Sequence, residues 1–284
     1  MSHFYEKLNS EINLEYELDK LKMLVEKENL GYNYPYPLIE YIDYNVFRTT
    51  SLSTNYLSFY DLLEDVMKKA PSKSEKFINY CEIFLSIIYQ YGEDNNPKYT
   101  EKTSQVLQII NFDLRKLNLI QKNIINDEYG PLVIIIPNDT VLESALESVD
   151  DSNVQEYLIE YKSSHNNGNI KRKKELLKLI SNYIEGITKS KTYRECNKRL
   201  FDDVDFLYNN LDLRHNPKIK DSGFFEKASL ELEKWLDITY EESLLVIKSK
   251  SEYDNHINIE KLKKSWLVKV ILMVLKKGNK PKWI

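Results

Sequence analysis

A chain of 284 residues with 42 % hydrophobic and 30 % charged side chains can bury a sizeable core in one or two domains, and its composition excludes a disordered tail. A formal net charge of −4 argues against a constitutive nucleic-acid binder, which carries a basic domain or face. Two cysteines, Cys81 and Cys196, form no disulfide framework and no zinc spacing, and the N-terminal residues Met1 to Glu6 carry no basic or apolar leader, so we expect a cytoplasmic protein with no cofactor and no metal.

In chain order, apolar residues at Phe4, Leu8, Ile12, Leu14, Leu18, Leu21 and Val25 recur near helical period and predict one amphipathic helix over 2–29. Gly31 is read as its C-cap, and Pro35 and Pro37 force the tyrosine-rich stretch Tyr32 to Pro37 into an extended loop over the core. Helices are expected at 56–70, 74–91 and 100–117. The second has Ser74 as N-cap and Phe77, Ile78, Cys81, Phe84, Leu85 and Ile88 on its core side. The pattern then turns strand-like, with residues 119–125 and 132–136 rich in Ile and Val around a polar turn at 126–130, which predicts a β-hairpin. A helix followed by a hairpin also has the layout of a winged-helix unit. A subsidiary expectation is therefore nucleic-acid binding through the 119–136 hairpin, for which the preceding helix offers only Lys102, Arg115 and Lys116 as cations; the alternative is a small hairpin that covers a helical core.

Asp139 is expected to cap a helix carrying Val141, Leu142, Ala145, Leu146 and Val149, and a short helix follows from Ser152 to about Ser164. Long helices at 170–189, 191–213, 223–250 and 257–276 carry apolar stripes such as Leu176, Leu177, Ile180, Ile184 and Ile187, which an up-and-down bundle buries most simply. The expected fold is mainly α: a helical N-terminal region ending in a small β-hairpin over 1–137, then a C-terminal helical bundle over 138–284. No segment reaches the ~18–20 apolar residues of a span, so no membrane partner is expected. The tract Lys171-Arg172-Lys173-Lys174 opens a helix, where cations oppose the macrodipole. It reads as a solvated basic corner or, through Lys171 and Arg172, as a contact for RNA phosphate.

The chemistry concentrates in Asp212-Leu213-Arg214-His215-Asn216, preceded by Tyr208, Asn209 and Asn210. Arg214 lies three residues beyond Leu211 and seven beyond Leu207, so it continues a buried helical face and needs a carboxylate from Asp212, Asp205 or Glu226. In one reading it is a structural clamp at the helix end, with Asn216 as cap before Pro217. In the other, a neutral His215 takes the proton of a ribose 2′-hydroxyl while Arg214 stabilises the attacked phosphate, with Asn209, Asn210 or Asn216 orienting it; this is metal-independent RNA cleavage. His3, His165 and His256 read as ordinary exposed side chains, and the chain has no Gly-rich phosphate loop, no Gly-x-Ser-x-Gly elbow, no His-Glu-x-x-His and no internal repeat.

A helical C-terminal bundle with an Asn-rich approach and an Arg-His pair at a helix end resembles the HEPN superfamily over roughly residues 138–275, especially versions attached to abortive-infection proteins of bacteria. The resemblance implies a phage-defence or toxin-type protein that acts on or binds RNA and forms a homodimer with its cleft at the interface. Its catalytic pair would be Arg214 and His215, with Asn209, Asn210, Asn216, Lys171 and Arg172 on the substrate. Active members carry an Arg, four to six residues, then a His. Here Arg214 and His215 are adjacent, and no arginine stands five to seven positions before His165, His215 or His256. Two versions are compatible with that departure: a cleft assembled from two subunits, or a non-catalytic RNA-binding or adaptor protein with Arg214 as clamp and a partner protein on the tyrosine-rich half.

Overall fold

The computed structural model describes residues 12–31, 34–70, 72–91, 97–126, 130–163, 166–195, 197–214 and 231–278. The protein is mainly helical with two small antiparallel hairpins. It divides into two compact units, Met1–Asp139 with Glu156–Arg172, and Thr140–Gln155 with Lys173–Ile284.

In the first unit, α1 (Leu14–Lys22) is capped by Asn13, whose side chain accepts from the Tyr16 amide at 3.2 Å. It runs into a π turn at Met23–Lys27, burying Leu14, Leu18, Leu21 and Val25. The segment after it is not a capped loop. β1 (Asn29–Gly31) pairs antiparallel with β2 (Tyr34–Pro37), because residues that precede prolines are pushed into extended backbone, here Tyr34 and Tyr36. Residues 2–11 of the expected first helix, with Tyr32 and Asn33, lie outside the described residues.

After α2 (Leu38–Tyr41) and a run of tight helical turns, α3 (Phe59–Lys69) starts at Ser58, whose hydroxyl accepts from the Asp61 amide at 3.1 Å. Helix α4 (Lys73–Tyr91) is capped by Ser72 rather than Ser74. Ser72 and Glu75 exchange side-chain to backbone bonds, both 3.2 Å, in a capping box, and Ser74 is buried within the helix. Helix α5 (Pro97–Lys116) starts on a proline, which lacks only an amide the first turn leaves unpaired anyway. Just after it, Asn118 takes a φ of 53°, a left-handed conformation Asn tolerates, and turns the chain into β3 (Leu119–Asn126). β3 pairs with β4 (Gly130–Pro137) in register from Leu119 opposite Pro137 to Asn126 opposite Gly130.

The outer edge of β4 is closed by side chains of α4. Glu82 Oε1 accepts from the Ile135 amide at 2.7 Å, Ser86 Oγ accepts from the Val133 amide at 2.8 Å, and Gln90 Nε2 donates to the Pro131 carbonyl at 2.6 Å. The spacings match: two strand residues advance about 6.7 Å and four helical residues about 6 Å, so a polar residue on each turn of α4 meets every second residue of β4. Val133 to Ile136 are all buried as a result. This packing departs from a projecting wing, and the hairpin carries a single cation, Lys122.

The second unit holds α6 (Thr140–Ser148), the start of α7 (Ser152–Tyr161), most of α8 (Ile170–Thr188), α9 (Lys191–Arg194), α10 (Lys198–Asn210) and α11 (Leu232–Gly278). These helices form the expected C-terminal bundle. The early part of α11 packs against α6, α9 and α10 and buries Leu236, Tyr240, Leu244 and Ile247. The helix expected over 191–213 is two, because Asn197 leaves helical backbone (φ −151°, ψ 64°) and its side chain accepts from the Leu200 amide to start α10. Conversely, the helices expected at 223–250 and 257–276 are one helix of 47 residues from Leu232, with 223–230 outside the described residues. Residues 251–256 contain no Gly or Pro. Asp254, a natural cap, has its carboxylate engaged by Lys250 at 3.1 Å and by the Tyr193 hydroxyl at 3.0 Å.

The basic tract is also not a solvated corner. Lys173 is 0 % exposed, its Nζ 2.8 Å from both Glu233 and Asp237 at the start of α11, as a buried ammonium requires. Arg172 forks onto Glu160 with bonds of 2.7 and 2.8 Å, and Lys171 is exposed.

Candidate functional site

Asn209, Asn210 and Arg214 lie at the C-terminal end of α10, and the local backbone decides what Arg214 can do. The helix stops at Asn210. Leu211 donates to the Leu207 carbonyl at 2.9 Å, Asp212 adopts a φ of 60°, and Leu213 donates back to the Tyr208 carbonyl at 3.1 Å. This is a Schellman closure with aspartate where glycine is usual. Arg214 therefore does not continue the helical face, as the spacing suggested; the left-handed residue folds the chain back and lays its side chain over the last turns of α10.

There the guanidinium Nη2 donates to Asp205 Oδ1 at 2.6 Å, Nη1 donates to Asn209 Oδ1 at 3.3 Å, and the group sits 5.7 Å from the centre of the Tyr208 ring. The Arg214 side chain is 12 % exposed, and its Nε is buried without a hydrogen-bond partner. Of the three carboxylates weighed for it, Asp205 supplies a bond, and Glu226 lies outside the described residues. That carboxylate is held from two further directions. Its Oδ1 also accepts from Thr188 Oγ1 at 2.8 Å, and its Oδ2 accepts from Arg194 Nη1 at 3.3 Å. Arg194 in turn pairs with Asp202 and donates to the Thr188 carbonyl at 3.1 Å. Two arginines and two aspartates thus balance in charge, and they tie together the ends of α8, α9 and α10.

Beneath the cluster, Tyr208 is fully buried with its hydroxyl 3.0 Å from Ser243 Oγ on α11, and burial pushes its ionisation well up. Tyr193 extends the anchorage of α9: its ring meets Tyr253 edge to face at 5.7 Å, and its hydroxyl binds Asp254.

Asn209 joins Arg214, whereas Asn210 is buried and donates to the Phe206 carbonyl at 2.9 Å, a bond that turns its amide inward. His215 and Asn216 lie outside the described residues, as do His165 and Cys196. Lys171 and Arg172 fall in the other unit. Arg194, Thr188 and Asp202 were not anticipated as parts of this cluster. The signal available was Asp205 itself, a third acidic residue beside Asp202 and Asp203 that falls toward the buried face of an otherwise regular stripe.

The first unit holds a concave alternative, a cavity of about 330 Å³ bounded by Leu52, Tyr56, Ile83, Ile124 and Leu132. Its wall is chiefly apolar; of the polar residues that reach it, Glu82 and Ser86 bind the β4 backbone, Glu160 binds Arg172, and Asn166 donates to the Glu160 carbonyl. Among the described residues no group of three His, Cys, Asp or Glu is arranged to hold a metal.

Chemically, a guanidinium that stabilises a phosphate presents its fork to the ligand. In Arg214 that fork faces Asp205 and Asn209, so the described part of the site works as a clamp between helix ends. No family model, no curated protein and no solved structure matches this chain.

Proposed function

We propose that the chain is a non-catalytic, HEPN-like helical binding protein in which the Arg194, Asp205 and Arg214 cluster closes one end of the bundle. The observation that carries this reading is the Arg214 guanidinium, bound by Asp205 at 2.6 Å and withdrawn from solvent. A phosphate would have to displace a carboxylate that Thr188 and Arg194 also hold. The adjacency of Arg214 and His215 supports the same reading, since it departs from the spacing of four to six residues between Arg and His in active members of that superfamily. The ligand we assign is a partner protein at the first unit, where Tyr16, Tyr44, Tyr60, Tyr89 and Phe112 are exposed; aromatic side chains are enriched in protein interfaces.

Two substitutions test this. Arg214→Ala lowers stability by about 2–4 kcal/mol, because it removes one of the two guanidiniums that neutralise a partly buried carboxylate and the packing of its side chain, whereas His215→Ala leaves the melting curve in place and changes nothing when the protein is incubated with single-stranded RNA. RNA degradation by the unaltered protein that disappears in a normally folded His215→Ala variant would replace the clamp with the ribonuclease reading, its cleft built from two subunits.

A further inference from the structure

The early part of α11 is buried in the bundle, but beyond residue 255 the same helix carries large apolar side chains into solvent: Ile259 is 50 % exposed, Leu262 69 %, Trp266 67 % and Leu267 55 %. Scattered exposed apolar residues are ordinary, but a run of them along one helix marks an interaction surface. The sequence continues the run with Val268 and then Val270-Ile271-Leu272-Met273-Val274-Leu275. Charge separates this segment from the rest of the chain. Residues 261–278 hold six lysines and no aspartate or glutamate, while the other positions hold 34 cations against 44 carboxylates.

We propose that the outer part of α11, residues 257–278, lies on the surface of a bilayer containing anionic lipids. The occupant must take aliphatic side chains, a tryptophan and concentrated positive charge together. RNA would use the lysines and leave the Val, Ile and Leu side chains unburied. A second copy packed arm to arm would bring twelve lysines together against a single carboxylate, Glu260, in each arm. The headgroup region of an anionic bilayer suits both kinds of side chain: apolar residues enter the acyl boundary, lysine stems run along it with their ammonium groups at the phosphates, and tryptophan sits at the interface. The run from Trp266 to Leu275 is about 15 Å long as a helix, against a hydrocarbon core of ~30 Å. It is therefore long enough to embed in one face and too short to span, and among the described residues no helix is long and apolar enough to cross a membrane. This surface is independent of the Arg214 cluster, and either assignment can fail without the other.

The test is flotation of the full chain with phosphatidylcholine vesicles, with and without about a third phosphatidylglycerol. The protein is expected to float with the anionic vesicles only and to be released by salt. The double variant Trp266→Ser, Leu267→Ser should reduce the bound fraction about tenfold with an unchanged melting temperature, since both side chains are exposed. Absent flotation, or flotation equal in the double variant, overturns the proposal. So does an oligomer that the double variant dissociates in the absence of vesicle binding, which would give the surface to a second copy. RNA retention lost in Lys261→Gln, Lys263→Gln, Lys264→Gln without vesicle binding would give it to RNA and equally overturn the proposal.

Discussion

In the first unit the polar side chains of Glu82, Ser86 and Gln90 serve the backbone, each meeting an amide or carbonyl of β4. In the second unit the polar interior serves itself, with Lys173 between Glu233 and Asp237, and Asp205 between Arg194 and Arg214. The difference follows from what each element leaves unpaired. A two-stranded sheet has an open edge whose amides need acceptors, so a helix placed beside it contributes polar atoms at the strand's spacing. Packed helices satisfy their own backbones and need fixing only at their ends and in their relative rotation, a task suited to ion pairs between side chains distant in sequence.

Four measurements test that contrast. The largest effect is expected at Lys173. Lys173→Met leaves two carboxylates facing an apolar side chain and should lower stability by about 3–4 kcal/mol, read by chemical denaturation; a loss under about 1 kcal/mol would show that solvent reaches the pair. Glu82→Ala should cost about 2–3 kcal/mol, since it strands the Ile135 amide. This loss should be insensitive to salt, which an ionic role for Glu82 would not allow.

Next is a pH effect confined to α1 and α5. The Asp113 carboxyl is pushed up to about 6 from 3.8, by burial first and then by the charge of Glu17. A carboxyl that holds its proton more tightly when folded favours the fold at low pH, and that contribution is lost as pH rises from about 4 to about 6. Asp113→Asn should remove this slope and be about 1–2 kcal/mol more stable than the unaltered protein near neutral pH. Parallel pH profiles of the two melting temperatures would refute it. The smallest effect is a gain: Asp212→Gly relieves the left-handed backbone after α10 and should add about 0.5–1 kcal/mol, unless the Asp212 side chain stabilises the turn by as much.

How far the sequence could be read depended on the range of the determining interaction. The hairpin at 119–137 and the long helices were legible because local periodicity specifies them. Errors arose where a cap or its absence decides a boundary: Ser72 with Glu75 rather than Ser74, Asn197 inside an apparent helix, and Asp254 with its carboxylate already engaged. Asp205 was one of three carboxylates named for Arg214, which was placed by a helix that had ended, because the left-handed residue is an aspartate and not the glycine that normally signals such a stop. Lys173 shows the limit most clearly. Its partners lie 60 and 64 residues away, and nothing within the tract distinguishes the buried lysine from its neighbours.

The closed edge of β4 has a kinetic consequence. A hairpin of two strands normally frays from its open side, and its outward amides exchange with solvent protons at a rate set by that fraying. Here the outward amides of Val133 and Ile135 are bonded to α4, so their protons are released only when helix and strand separate. Their exchange rates therefore report on the opening of this helix-strand contact, and the hairpin and α4 exchange as one cooperative piece.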